Sequence, residues 1–276
     1  MELSVLENGV AVLTMSFGPK GGNLFCPSLI AELDKIVTAI ESDARVSALV
    51  ITGKGKYFSN GLNTKWLQKN VIWAPAMVVA SYRLFARIIA LGVPTIAAIN
   101  GYAVGAGFFL ALCCDHRIMV KGNASTANKT SQADCFLCLP ELDLKMPLSP
   151  GYTAIAKCKL PKHALRTTVL TAKRWTPMEA LSWGIIDRIV SSKDLLPTCV
   201  AFGYELAGGG RVERKRNVYS MLKREIYSEC YGSLTSWFAM PRMVATLGSL
   251  AVHGMFLPKK VKSRHYKKNA ALRSKL

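Results

Sequence analysis

Acidic residues are scarce in this chain beside its basic ones. Against 36 Lys+Arg stand 17 Asp+Glu, a net charge of +19. An excess of that size points to an anionic partner: a nucleic acid, a membrane surface or a phosphate-bearing ligand. Histidine is scarcer still, at four in 276 residues, and His163, His253 and His265 stand alone. The one C-x-x-C, Cys135 to Cys138, has neither a second such pair nor a His pair nearby. Zinc needs four ligands, so a metal site is not expected. No secretory signal opens the sequence, and the eight cysteines are read as free thiols of a reducing compartment. The "MELSVLENG" start also lacks the Arg-rich look of a mitochondrial presequence.

The longest apolar run is the centre of the chain. No charge falls between Ile88 and Cys114, which is membrane-span length. Pro94, Asn100, Gly92, Gly101, Gly105 and Gly107 interrupt it, so a core strand–turn–helix is expected instead. The strand is Thr95–Ile99, the turn 100–107, and the helix runs to Asp115. A glycine turn feeding a helix leaves free backbone N–H groups able to hold an anion. The spacing matches neither G-x-G-x-x-G nor G-x-x-x-x-G-K-[ST], so a nucleotide phosphate is not the first reading.

Around that centre, strands and helices alternate. Residues 2–16 predict a hairpin turning at Asn8-Gly9, and Pro27–Ser42 carries a helical stripe from Leu29 to Ile40. Residues 47–53 predict a buried strand, 54–63 a loop, and the chain to about residue 90 a helical region. His116–Val120 reads as a strand, 121–134 as a polar loop, and "CFLCLPE" as a return to the core ending at Glu141. From Lys157 the chain is read as helical, with Pro177 suited to a first helical position. Such alternation implies βαβ units and a mainly parallel sheet, an α/β fold. Past Ala207 the composition shifts: Gly208 to Gly210 break the chain, and residues 259–275 hold eight Lys/Arg and no acid.

Four segments carry a resemblance. "AAINGYAVGAGFFLALCCDHRI" is similar to the signature of the crotonase (enoyl-CoA hydratase/isomerase) superfamily. "VITGKGKYFSNGLN" (50–63), "PELDLKMPLSPGYTAI" (140–155) and "ALSWGIIDRIV" (180–190) resemble further family segments, in family order. The resemblance implies a ββα spiral core over 1–200 and a C-terminal helical region over 201–276. It implies acyl-CoA thioesters as substrates and no cofactor beyond their coenzyme A. It also implies a homotrimer or hexamer with no stable membrane insertion. By motif position the backbone N–H groups of Leu62 and Ala106 form the oxyanion hole, and Glu141 is the acid–base. Lys56, Ser59, Asn60, Gly61, Asn63, Gly105 and Phe109 are the implied substrate-contacting residues. Lys54 and Lys65 flank the loop that meets the coenzyme's phosphates.

Family hydratases hold a water between two glutamates. Here the first of those positions is Phe109 and the second is Glu141. One carboxylate beside a phenyl ring is a poor water site but suffices to move a proton, as in the family's Δ3,Δ2-enoyl-CoA isomerases. Asp143 is a weaker second acid, placed on a strand face with Glu141. Asp115-His116 is read as structural. The alternatives are a hydratase or dienoyl-CoA isomerase, and an RNA-binding family homologue that the charge would permit. The terminal Ser274, Lys275 and Leu276 form a peroxisomal import address, which places the protein in a peroxisome or a glycosome-type organelle.

Overall fold

The computed structural model describes residues 1–18, 21–122, 135–209 and 215–236. Its large sheet has the order β1-β2-β3-β5-β7-β9, from β1 (Glu2–Val5) and β2 (Val10–Met15) to β9 (Arg188–Val190). Only the β1/β2 hairpin is antiparallel; every other pairing is parallel. The inner strands β3 (Ala48–Gly53) and β5 (Thr95–Ile99) are buried along their whole length. That is why they read as unbroken apolar runs: a parallel sheet covered on both faces has no solvent side to alternate with.

A second, three-stranded parallel sheet has the order β4-β6-β8. Its members are β4 (Tyr57–Ser59), β6 (Tyr102–Val104) and β8 (Leu137–Cys138). The loops expected at 54–63 and 100–107 therefore each contain a short strand. Runs this brief show no periodicity in sequence. The chain now repeats a unit of two strands and a helix. β3 and β4 lead to α2 (Thr64–Lys69) and α3 (Ala74–Ile89). β5 and β6 lead to α4 (Ala106–Cys113), and β7 (His116–Val120) and β8 lead to α5 (Pro150–Lys159). This is the ββα spiral that the resemblance implied.

Helix α1 (Pro27–Ser42) buries Leu29, Ile30, Leu33, Val37 and Ile40, the stripe read from sequence. Helix α4 is buried on every side, as its composition requires. Helix α5 starts earlier than Lys157, because Pro150 occupies its first turn. Helix α6 (Lys162–Leu170) follows, and Pro177 opens α7 (Pro177–Ser182), behind a capping box of Thr176 and Glu179. With its leading 3-10 turn, the segment Val71–Ile89 is apolar enough to cross a membrane, but most of it is buried within the protein.

The C-terminal helices close onto this core. A boundary at residue 200 would cut α8 (Leu195–Leu206), whose Gly203 lies against Val10, Ala48 and Ile96 of the large sheet. Helix α9 (Arg216–Ile226) is tied down by Arg216, which donates to the carbonyls of Ile40 and Asp43 at 2.6 and 2.8 Å. Helix α10 (Ser228–Thr235) packs on α3 and α5. The basic tail, His253, His265 and the terminal Ser274-Lys275-Leu276 lie outside the described residues.

Candidate active site

The three strands of the small sheet point the same way, and each delivers one part of a site just past its carboxyl end. β4 ends at Ser59, before Gly61 and Leu62; β6 ends at Val104, before Gly105 and Ala106; β8 ends at Cys138, before Pro140 and Glu141. The crevice beyond strand carboxyl ends is where open α/β sheets bind ligands.

Leu62 bridges to Phe25. The Phe25 N–H donates to Gly61 O at 2.8 Å, and the Asn63 N–H donates to Phe25 O at 2.9 Å. Peptide groups in an extended chain alternate in direction, so the N–H of Leu62 faces away from Phe25. Ala106 is the first residue of α4, where an N–H has no helical acceptor; the helix's first bond runs from Phe109 N to Gly105 O at 3.0 Å. Neither amide meets an acceptor among the described hydrogen bonds. Gly61, at φ +82°, brings the two loops together. A Cβ there would stand 2.7 Å from Val104 O and 3.4 Å from Ala106 N.

The third part is tied to the second. Gly105 N donates to Cys138 O at 2.9 Å, and Gly105, at φ +51°, lies beside Pro140. Glu141 then starts a tight turn in which Leu144 N donates to Pro140 O and Met146 N to Glu141 O, both at 2.9 Å. Its Oε2 is buried and accepts no hydrogen bond. Burial lifts the carboxyl from 4.5 to about 7, opposed in part by a bond from its own backbone. A carboxyl held there is poised to exchange protons near neutrality. Asp143 is not on a strand face with it; the turn leaves Asp143 exposed.

Phe109 presents no surface to a ligand. Its ring is fully buried and stacked on Tyr152, centroids 4.6 Å apart and planes 5° from parallel. The Tyr152 hydroxyl pairs with Ser81 Oγ at 2.9 Å, and the ring packs edge-on to Tyr82 at 5.3 Å. Burial pushes the Tyr152 phenol up, and the nearby Glu141 carboxylate adds to that. An aromatic stack thus joins α3, α4 and α5 behind the carboxyl. Ser59 is likewise fully buried, donating from Oγ to Asn23 O at 2.7 Å. Asn63 caps α2 by accepting from Trp66 N at 3.0 Å. Asn60, Lys54, Lys56 and Lys65 are exposed, with Lys56 Nζ 5.0 Å from the Tyr102 ring centre.

Two supports were not read from sequence. Asn23 is fully buried, with its Nδ2 donating to Phe58 O at 3.0 Å and its Oδ1 accepting from Phe17 N at 2.8 Å. It fixes β4 just ahead of the Gly61 turn. Lys223 of α9 is 4% exposed and donates to Asp115 Oδ2 at 2.8 Å. The same oxygen accepts from Thr95 N and Oγ1 at 2.9 and 3.0 Å. Asp115 is structural, as read: it joins the end of α4 to β5 and to the C-terminal helices. Among the described residues no group of three His, Cys, Asp or Glu is placed to hold a metal ion.

Comparison with known proteins agrees with this fold. The family model for enoyl-CoA hydratase/isomerase matches residues 6–244. Peroxisomal enoyl-CoA delta isomerase 2 of Arabidopsis thaliana is 28% identical over 254 residues, covering 87% of this chain and 100% of that protein. Carnitinyl-CoA dehydratase of Escherichia coli O157:H7 is also 28% identical, over 238 residues, with 85% and 86% covered. A solved enoyl-CoA isomerase of Mycobacterium tuberculosis superposes with a TM-score of 0.74 at 22% identity, over 88% of this chain and 97% of that one. The fold is therefore the crotonase fold. Relatives at equal distance carry out different reactions, so likeness alone does not choose among them. With the matched model spanning most of its length, this chain belongs to the enoyl-CoA hydratase/isomerase family.

Proposed function

We propose that this protein is a Δ3,Δ2-enoyl-CoA isomerase with Glu141 as its only acid–base, serving β-oxidation of unsaturated fatty acids. The thioester oxygen is held by the amides of Leu62 and Ala106. Two preorganised donors aimed at a developing oxyanion supply about 3–4 kcal/mol each. Glu141 takes a proton from C2 of a 3-enoyl-CoA, the double bond shifts, and the same carboxyl returns the proton at C4. Between those steps the dienolate charge rests on the thioester oxygen. No cofactor is needed beyond the coenzyme A of the substrate, whose phosphates suit Lys54, Lys56 and Lys65.

One observation carries this reading. A single carboxyl with an unsatisfied, buried oxygen stands before a closed aromatic stack, Phe109 on Tyr152, where the family's hydratases place a second glutamate. The Phe109 ring carries no polar atom and the Tyr152 hydroxyl is already paired with Ser81 Oγ, so a hydrating water has no second carboxyl to bond to there. The equally similar dehydratase keeps hydration–dehydration as the competing reading. Glu141→Gln tests the choice of base. Isomerisation should fall by about 10²–10⁴-fold with coenzyme binding retained. Asp143→Asn should leave the rate unchanged; the reverse pattern would move the base to Asp143.

Two further assignments belong to this proposal. The terminal Ser274-Lys275-Leu276 and the peroxisomal plant relative support import into a peroxisome or a glycosome-type organelle. An apolar stripe on α9 supports a trimer or hexamer: Val218, Met221, Leu222 and Ile226 are 49%, 67%, 57% and 70% exposed.

A further inference from the structure

Two cysteines outside the candidate site meet across a helix pair. Cys158 lies on α5 and is exposed; Cys230 lies on α10 and is buried. The two helices pack on each other. Both line one depression of about 680 Å³, whose wall also holds Lys157, Tyr227, Glu229 and Ser233. A small polar oxidant thus has an open path to Cys158. Two thiols that line one depression between packed helices are placed on facing elements, the arrangement from which a disulfide can close.

We propose that Cys158 and Cys230 are a hydroperoxide-reactive dithiol that closes into a disulfide between α5 and α10. The Cys158 thiolate sulfur attacks one peroxide oxygen, the O–O bond breaks, and Cys158 becomes a sulfenic acid. The other oxygen leaves and, with the proton given up by the thiol, forms water. Cys230 sulfur then attacks the sulfenic sulfur. The S–S bond forms, the S–O bond breaks, and the hydroxyl leaves with the Cys230 proton as a second water. Two thiols and one hydrogen peroxide give one disulfide and two waters.

The surroundings favour Cys158 as the attacking sulfur. Cys230 donates its S–H to Cys158 and Lys159 adds positive charge, against burial and the Glu229 carboxylate, so the Cys158 thiol is lowered to about 7. The same bond, together with burial, raises Cys230, which suits a resolving thiol that stays protonated until used. Cys113 of α4 is the third thiol nearby; it is fully buried and pushed up by burial. Lys159 is itself held over the Tyr227 ring, Nζ 4.0 Å from its centre. Helix α5 also carries Tyr152, so closure would fasten the C-terminal helices to the element behind Glu141.

The test treats the full-length reduced protein with one equivalent of hydrogen peroxide and maps cysteines by peptide mass. The expected first product is a Cys158–Cys230 linked peptide, reversed by dithiothreitol. Cys158 should react roughly tenfold faster at pH 7.4 than Cys26, a half-buried thiol just before α1. In Cys230→Ser, Cys158 should accumulate as a dimedone-trapped sulfenic acid. First linkage through another cysteine, equal reaction at Cys26, or no change at Cys158 would each overturn the proposal. If Cys230→Ser does not fold, mapping of the wild-type protein still decides it.

Discussion

Glu141→Gln should make the protein more stable while removing its chemistry, and the gain should depend on pH. The Glu141 carboxyl titrates at about 7 in the folded protein, against 4.5 ordinarily, because burial disfavours its charge. Its folded pKa is raised, so the folded form holds the proton more tightly than the unfolded chain. The stability this gives is fully present below about 4.5 and is lost as pH rises through about 7. Glutamine carries no such cost. The variant should therefore gain on the wild type by about 1 kcal/mol at pH 5 and roughly 3 kcal/mol at pH 8. For a chain of this size that is about 5 °C in Tm at pH 8. The assay is thermal unfolding of both proteins from pH 4.5 to 8.5. A Tm difference that stays constant across that range would refute the reasoning, and so would a Gln variant less stable at pH 8. The same carboxyl sets the rate profile: isomerisation should rise through about pH 7, as the base ionises, and then level.

Other expectations concern the stack, the turn and the address. Phe109→Ala should cost about 3–5 kcal/mol, read in urea unfolding, because it leaves Tyr152 facing a cavity. Phe109→Glu should lower stability and gain no more than trace hydration of a 2-enoyl-CoA, since the position is fully buried; vigorous hydration would show that water reaches it. Gly61→Ala should cut isomerisation by 10-fold or more, because φ +82° and a contact of 2.7 Å with Val104 O oppose the new Cβ; an unchanged rate would remove the Leu62 amide from the oxyanion hole. Deleting Ser274–Lys275–Leu276 should leave the enzyme active and cytosolic in cells, by fluorescence microscopy; an unchanged organelle pattern would count against the address.

What the sequence disclosed depended on range. The Gly61, Gly105 and Pro140-Glu141 signals are local: a turn glycine or a proline is legible where it stands. So are α1, through its stripe, and β3 and β5, through continuous apolar runs. The small sheet was not legible, because β4, β6 and β8 span two or three residues and exist only by pairing with one another. Asp143 is the consequence: an extended strand past Glu141 would put both acids on one face, whereas hydrogen bonds close a turn there. Phe109 was readable as a missing acid, but its stacking on Tyr152, 43 positions away, was not. Asn23 and Lys223 matter through partners distant in sequence, Phe58 and Asp115, and no local pattern marks them.

The central claim is that one carboxyl moves a double bond and does not add water. The direct measurement is turnover by the purified wild-type protein of a trans-3-enoyl-CoA and a trans-2-enoyl-CoA of equal chain length. Formation of the conjugated thioester is followed by ultraviolet absorbance, and 3-hydroxy product by mass. Rapid conversion of the 3-enoyl substrate and only trace hydration of the 2-enoyl one are expected. Vigorous 3-hydroxyacyl-CoA formation with slow isomerisation would contradict the claim.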